Sequence, residues 1–186
     1  MAISRSTATT QCLERLVSVL QDRLPTFLEA IQDEGLHLPA PNDGDYFLSG
    51  GYLAEQILNA PVAVLIDQFD TSRTEARLSG SGASQGRIVT LPIRIRLIFS
   101  VTAYDPLVRT GREQTKPEYL YHLSERYKGA LMDCLYTYAK DGEAISDIDI
   151  TSDYASVEQI RENLTGGCIL ELRITQDTEV PRPNYS

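Results

Sequence analysis

Two stretches of the chain repeat apolar residues at helical spacing, and four more carry the pattern of strands. In residues 9–24, Leu13, Leu16, Val17, Leu20 and Leu24 fall on one face, and Ser6, Thr9 or Thr10 suits the N-cap. Pro25 is expected to interrupt this helix, with Phe27, Leu28 and Ile31 on a second, bent piece that stops at Gly35. The second helix, 116–139, has the fuller signature. Thr115 and Glu118 form a capping box around Pro117 in the first turn. Leu120, Leu123, Tyr127, Ala130, Leu131, Cys134, Leu135 and Tyr138 make one apolar stripe, Lys140 suits the C-terminal dipole, and Gly142 is the expected C′ residue. Such a helix spans roughly 35 Å, enough to cross a sheet.

The strand candidates are 61–69, 89–101, 145–151 and 168–175, with 46–48 as a short fifth. Residues 89–101 alternate most clearly, with Ile93, Ile95, Leu97, Phe99 and Val101 against Arg94, Arg96 and Ser100. Ile148 and Ile150 likewise alternate with Asp147 and Asp149. Residues 71–86 read as the polar tip of a hairpin, 105–116 as a second polar loop, and 154–164 as an acidic loop with a short helical turn. Residues 35–51 read as an irregular connection, and 52–58 as one or two helical turns. This order predicts an α+β domain over residues 1–176, followed by an extended tail over 177–186 that holds Pro181 and Pro183. The sheet is expected to be mainly antiparallel, of four to five strands, covered on one face by the N-terminal helix and the long central helix. The faces bearing Arg94/Arg96 and Asp147/Asp149 then look outward, where opposite charges pair across the sheet or across a subunit boundary.

Composition changes the picture in two ways. Hydrophobic residues make up 42% of the 186, enough for a core without metals or disulfides. Cys12, Cys134 and Cys168 each sit in an apolar pattern, so they read as core thiols in a reducing compartment. The net charge of −9 argues against an electrostatic grip on nucleic acid. The ten tyrosines lean towards a contact surface. Residues 1–10 are polar, with no apolar leader core, and no run spans a membrane, so folding in the cytosol is expected.

The chain offers little chemistry. Residues 80–86 read Gly-Ser-Gly-Ala-Ser-Gln-Gly, but the spacing is wrong for a dinucleotide loop, no Gly-Lys-Ser/Thr follows, and the segment opens a strand. Asp147, Asp149 and Asp153 lie along a strand, which does not converge oxygen ligands on a cation. His37 and His122 lack partners at metal-ligand spacing. No catalytic residue, metal or cofactor is therefore expected. Positive charge is local: Arg73, Arg77 and Arg87 flank the tip holding Gly80 and Gly82, and Arg109 and Arg112 occupy the second loop with Lys116. Such loops suit phosphates, an acidic protein ring or plain solvent. The candidate protein-interface residues are these arginines and glycines together with Arg94, Arg96, Asp147 and Asp149.

The order of elements resembles that of tail terminator and tail-completion proteins of tailed bacteriophages. The resemblance runs over residues 9–175: an N-terminal helix, the stretch Ala-Val-Leu-Ile-Asp at 63–67, a polar hairpin loop, the strand 91–101, the helix 116–139 and the paired strands 145–151 and 167–175. It implies a small α+β module, not an enzyme, that closes into a homo-oligomeric ring of six. The ring would cap the tail tube protein, and the sheath if the tail contracts, and offer a surface to the head-tail adaptor or neck. DNA would pass through the lumen without sequence-specific binding. The loop 71–87 would order against the tube. It further implies a place in the virion, reached from the host cytoplasm, with no membrane partner. This chain departs from the family in extra residues at 35–51 and in the tail, and in the polar loop 105–115. A head-tail adaptor or stopper is the nearest alternative. A small-ligand-binding α+β domain, with the Gly80 loop as its lid, is the alternative of a different class.

Overall fold

The structure, a computed structural model, describes residues 5–32, 38–48, 60–68, 74–77, 84–100, 108–109, 112–113, 115–142, 144–160 and 163–181. The helical turns expected at 52–58, the helix stop expected at Gly35, and the tip holding Gly80 and Gly82 lie outside them.

Helix α1 (Arg5–Ala30) runs through Pro25 without ending. A proline inside a helix removes one backbone bond, which costs about 3 kcal/mol. Here the apolar stripe continues on both sides of it. Leu16, Leu20, Leu24 and Leu28 are all buried, and each contributes about 1.5–3 kcal/mol by burial, so packing outweighs the lost bond. The expected interruption is therefore corrected.

Helix α2 (Lys116–Tyr138) starts as its sequence predicts. The Thr115 N–H donates to Glu118 Oε2 at 2.8 Å. Its end differs from the expectation. The helix closes when the Ala139 N–H donates to Leu135 O. Gly142, at φ +78°, instead serves the next turn, where the N–H groups of Asp141 and Gly142 both meet Ile145 O. A positive φ favours glycine there.

Among the described residues the strands are, in chain order, β1 (Tyr46–Leu48), β2 (Val62–Asp67), β3 (Thr74–Arg77), β4 (Ser84–Ser100), β5 (Val108–Arg109), β6 (Arg112–Glu113), β7 (Asp147–Ile160) and β8 (Asn163–Pro181). The main sheet has the order β1-β2-β4-β8-β7, with β3 also pairing β4, while β5 and β6 pair with each other. Among the described strands, β1 and β2 run parallel and the other pairs antiparallel. This is the expected α+β fold with a mostly antiparallel sheet. Val64, Leu97 and Cys168 sit side by side in register, as do Ile66, Ile95 and Leu170. These rows face the helices and form one core with Leu16, Leu20, Leu123, Tyr127 and Leu131.

Three loops expected from sequence are strands. The polar stretch 71–86 contains β3 and the start of β4. The acidic stretch 154–164 is the end of β7 and the start of β8, a hairpin in which Ile160 faces Asn163. The disguise is a register shift between Ile150 and Ser152. Before it Ile148 and Ile150 keep one phase; after it Ala155 and Val157 keep the other. The tail expected from residue 177 is strand as far as Pro181, paired with Ser84–Ile88 of β4. Likewise, the loop 105–116 holds β5 and β6.

Pro92 sits inside the long strand β4, a position usually hostile to proline. The Ser100 N–H donates to Pro61 O, so even-numbered residues of β4 aim their N–H groups away from β8. On that side β3 reaches only as far as Thr90 and β2 begins opposite Arg94. Among the described residues, Pro92 therefore falls between these two partners, where no strand requires its N–H.

All three thiols are buried in the core, and burial pushes each up to about 12. The folded state keeps its protons where the unfolded chain loses them, so stability is fully present below the ordinary thiol range and falls as pH rises from about 9 to about 12. Native protein is expected to show no thiol reaction with Ellman's reagent at pH 8, and three equivalents once denatured. Reaction of a thiol at full rate in the native state would contradict this burial. Among the described residues no helix is long and apolar enough to cross a membrane.

Candidate functional site

The sheet face turned away from the helices is built from alternate residues of the same strands. Ala63, Leu65 and Asp67 of β2 lie beside Ile98, Arg96 and Arg94 of β4, which lie beside Gly167, Ile169 and Glu171 of β8. Phe47 and Ile98 close a small apolar cluster with Ala60, Ala63 and Leu65 at one end. Next to it stands the face's main electrostatic feature. The Arg94 Nε–H donates to Asp67 Oδ1 at 3.2 Å, and Arg96 Nη2 donates to Asp67 Oδ2 at 3.2 Å. The carboxylate side chain is 10% exposed, and both guanidinium side chains are 32% exposed.

This arrangement overturns one of the two expected pairings, that of Arg94 and Arg96 with Asp147 and Asp149 across the sheet. All four share the open face, but β8 lies between the two pairs. Asp67, overlooked because it ends an otherwise apolar strand, takes both arginines instead. Asp147 is exposed and pairs with Lys140, whose hydrogen bond holds its carboxyl below the usual range. Asp149 is exposed and stands opposite Arg173. Asp67→Asn is expected to lower stability by about 1–2 kcal/mol, read as a shift in the urea midpoint. The partial exposure of the guanidiniums keeps the effect below that of a fully buried pair.

The remaining predicted interface residues fall into two places. Arg77 of β3 stands directly opposite Arg87 of β4, and Arg109 of β5 stands directly opposite Arg112 of β6. Arg73, Gly80 and Gly82 lie outside the described residues.

Features with no sequence motif complete the surface. Tyr121 and Tyr136 of α2 and Tyr154 of β7 are large exposed aromatics. Tyr138 differs, since the Arg23 guanidinium stacks on its ring at 4.9 Å. A shallow depression on the open face lies over Gly166 and Gly167, between Arg96 and Glu158. The opposite charges on its two sides leave no net preference for an anion or a cation. His122 lies on α2, as expected, and is half-buried. Among the described residues no group of three or more His, Cys, Asp or Glu is placed to hold a metal ion. No protein-family model matches the chain, and no curated protein matches its sequence.

Proposed function

We propose that this chain is the repeating subunit of a ring that terminates the tail tube of a tailed bacteriophage and joins it to the neck of the virion. The observation that carries this reading is the sheet's uneven outline. Strands β4 and β8 have 17 and 19 residues, whereas β2 has 6. Ser84–Thr90 of β4 pairs with Thr175–Pro181 of β8 beyond the reach of β2, and Gln176–Pro181 extends beyond β7. The result is a ribbon of β3, β4 and β8, about 23 Å long at the usual rise per residue. On the outer edge of β8 beyond Thr175, no strand pairs with it among the described residues. A long strand edge of this kind is a template for another chain.

A ring needs two different contact surfaces on each subunit, because a head-to-tail contact closes only when unlike sides meet. The ribbon supplies one side. The exposed Tyr121 and Tyr136 on α2 support a second, since tyrosine is enriched where proteins meet. The charge of −9 suits a lumen along which DNA slides without being held. A head-tail adaptor built from the same module would share these surfaces, so the tube itself is the discriminating partner.

The test is to mix the purified protein with tail tubes that lack a terminator and view them by electron microscopy. Under this reading a ring of extra density sits at one end of each tube, and tube growth stops there. Bare tube ends, with binding to the head connector instead, would replace the terminator with the adaptor.

A further inference from the structure

Helix α2 carries a residue that the isolated chain does not need. Gly129 stands in the middle of its 23 residues, on the side opposite the buried stripe of Leu120, Tyr127 and Leu131. Glycine inside a helix is less favourable than alanine and calls for a packing reason. Gly166 has one within the fold, where a Cβ would overlap Phe99. Gly129 does not: among the described residues nothing lies within 4 Å of the place where its Cβ would stand. Its backbone is helical, so no special dihedral requires it either. The reason left is a close neighbour from outside the chain.

The surroundings of Gly129 point the same way. Tyr136 lies two turns further along, within about 20° of the same line on the helix surface, and Tyr121 flanks that line two turns before. Tyr121 is 51% exposed and Tyr136 49%. A bare turn of helix beside these rings forms a notch for a projecting side chain. The matching projection stands on the other layer of the domain. Tyr154 of β7 is 45% exposed and pairs with Ile169 of β8, on the sheet face turned away from the helices. Beside it lies the shallow depression over Gly166 and Gly167. Its opposite charges favour no ion, but they suit a phenol. The ring would rest on the half-buried Ile98 and Ile169, and the hydroxyl would donate to the Glu158 carboxylate or accept from the Arg96 guanidinium. Each surface thus offers a tyrosine beside a glycine. The spacings agree: Gly129 and Tyr136 are about 10 Å apart along the helix, and Tyr154 and Gly167 about 8 Å apart across the sheet.

We propose that α2 of one copy docks on the open sheet face of a second copy, with the second copy's Tyr154 seated over Gly129 and Tyr136 seated over the second copy's Gly166 and Gly167. The contact deepens the ring reading and rests on it. It joins unlike sides of the subunit, as closure of a ring requires. Strands β4 and β8 carry the open face on into the ribbon, so the two surfaces are continuous. The rival occupant of the notch is a second α2, with Gly129 against Gly129. That contact joins like sides, so it stops at a pair of copies.

The experiment uses full-length protein and reads self-association by sedimentation velocity. Gly129→Gln fills the notch with a better helix former, so its urea midpoint should equal or exceed that of wild type. Its self-association should nonetheless weaken by about tenfold or more. Tyr154→Thr keeps a residue suited to a strand and should weaken association to a similar extent. The double variant should associate no more weakly than the weaker single one, because a side chain and its seat are lost only once. Cross-linking then identifies the neighbours. Gly129→Cys and Tyr154→Cys proteins, mixed one to one and oxidised, should form a disulfide-linked pair of chains, and neither should do so alone. The three native thiols are buried and do not compete. If wild type assembles and Gly129→Gln assembles equally well, or the mixture does not cross-link, the docking proposal falls while the ring reading stands. Cross-linking of Gly129→Cys with itself would place two α2 faces together and overturn the proposal. If wild type never assembles, alone or with tail tube protein, both fall together.

Discussion

Replacing Tyr127 with alanine is expected to destabilise the domain by about 3–5 kcal/mol, whereas Tyr127→Phe should cost about 1 kcal/mol. Tyr127 is fully buried in the centre of α2. Its ring lies 4.8 Å from that of Phe99 on β4, so it ties the helix layer to the sheet. Its hydroxyl donates to Pro39 O at 2.7 Å, pinning the segment that leads into β1. Burial raises the phenol well above its ordinary range. Alanine leaves a cavity as well as an orphaned carbonyl; phenylalanine leaves only the carbonyl. Urea unfolding reads both variants. A domain typically has 5–15 kcal/mol in total, so Tyr127→Ala should leave little folded protein at 37 °C. Equal losses for the two variants would place the whole effect in the hydrogen bond and contradict the packing argument.

The second large effect is expected at Gly167, where alanine should cost about 3 kcal/mol. A Cβ there would lie 2.6 Å from Leu97 O, a backbone atom held in the β4–β8 ladder. Relief would require the ladder itself to shift. The neighbouring Gly166 is as confined, since its Cβ would overlap Phe99 Cζ and crowd Ser124 Oγ. Gly166 lets α2 come close enough for Ser124 to bond directly to the sheet: its hydroxyl donates to Leu120 O at 2.8 Å and accepts the Gly167 N–H at 2.9 Å. Thermal unfolding of Gly167→Ala against Gly44→Ala checks the point, because nothing lies within 4 Å of a Cβ at Gly44. Similar melting points for the two variants would show that the sheet yields at Gly167.

The fold was legible wherever one periodicity ran undisturbed. Residues 89–101 alternate with Ile98 as an apolar exception on the open face, and the capping box at Thr115 marks the start of α2, so both are readable from spacing alone. The misses share a cause, which is long-range pairing that overrides local pattern. β3 and the end of β8 are polar segments that become strands because β4 lies between them. β7 changes phase at its bulge, so its two halves look unrelated. Pro25 looked like a stop, but the leucines on either side hold the helix to the sheet.

The candidate site was legible in composition and not in partners. The arginines stood out as a local excess in an acidic chain. That Arg94 and Arg96 meet Asp67 depends on β2 lying beside β4 in one register, which no local spacing records. The facing of Arg77 with Arg87 and of Arg109 with Arg112 likewise depends on hairpin registers.

Self-assembly is the premise of the ring, and the mass of the protein in solution tests it most directly. Light scattering after size exclusion, run over a range of concentrations with and without tail tube protein, reads it. A defined species near six times the 20.7 kDa of one chain is expected, either alone or once the tube protein is present. A mass of one chain under every condition would contradict it.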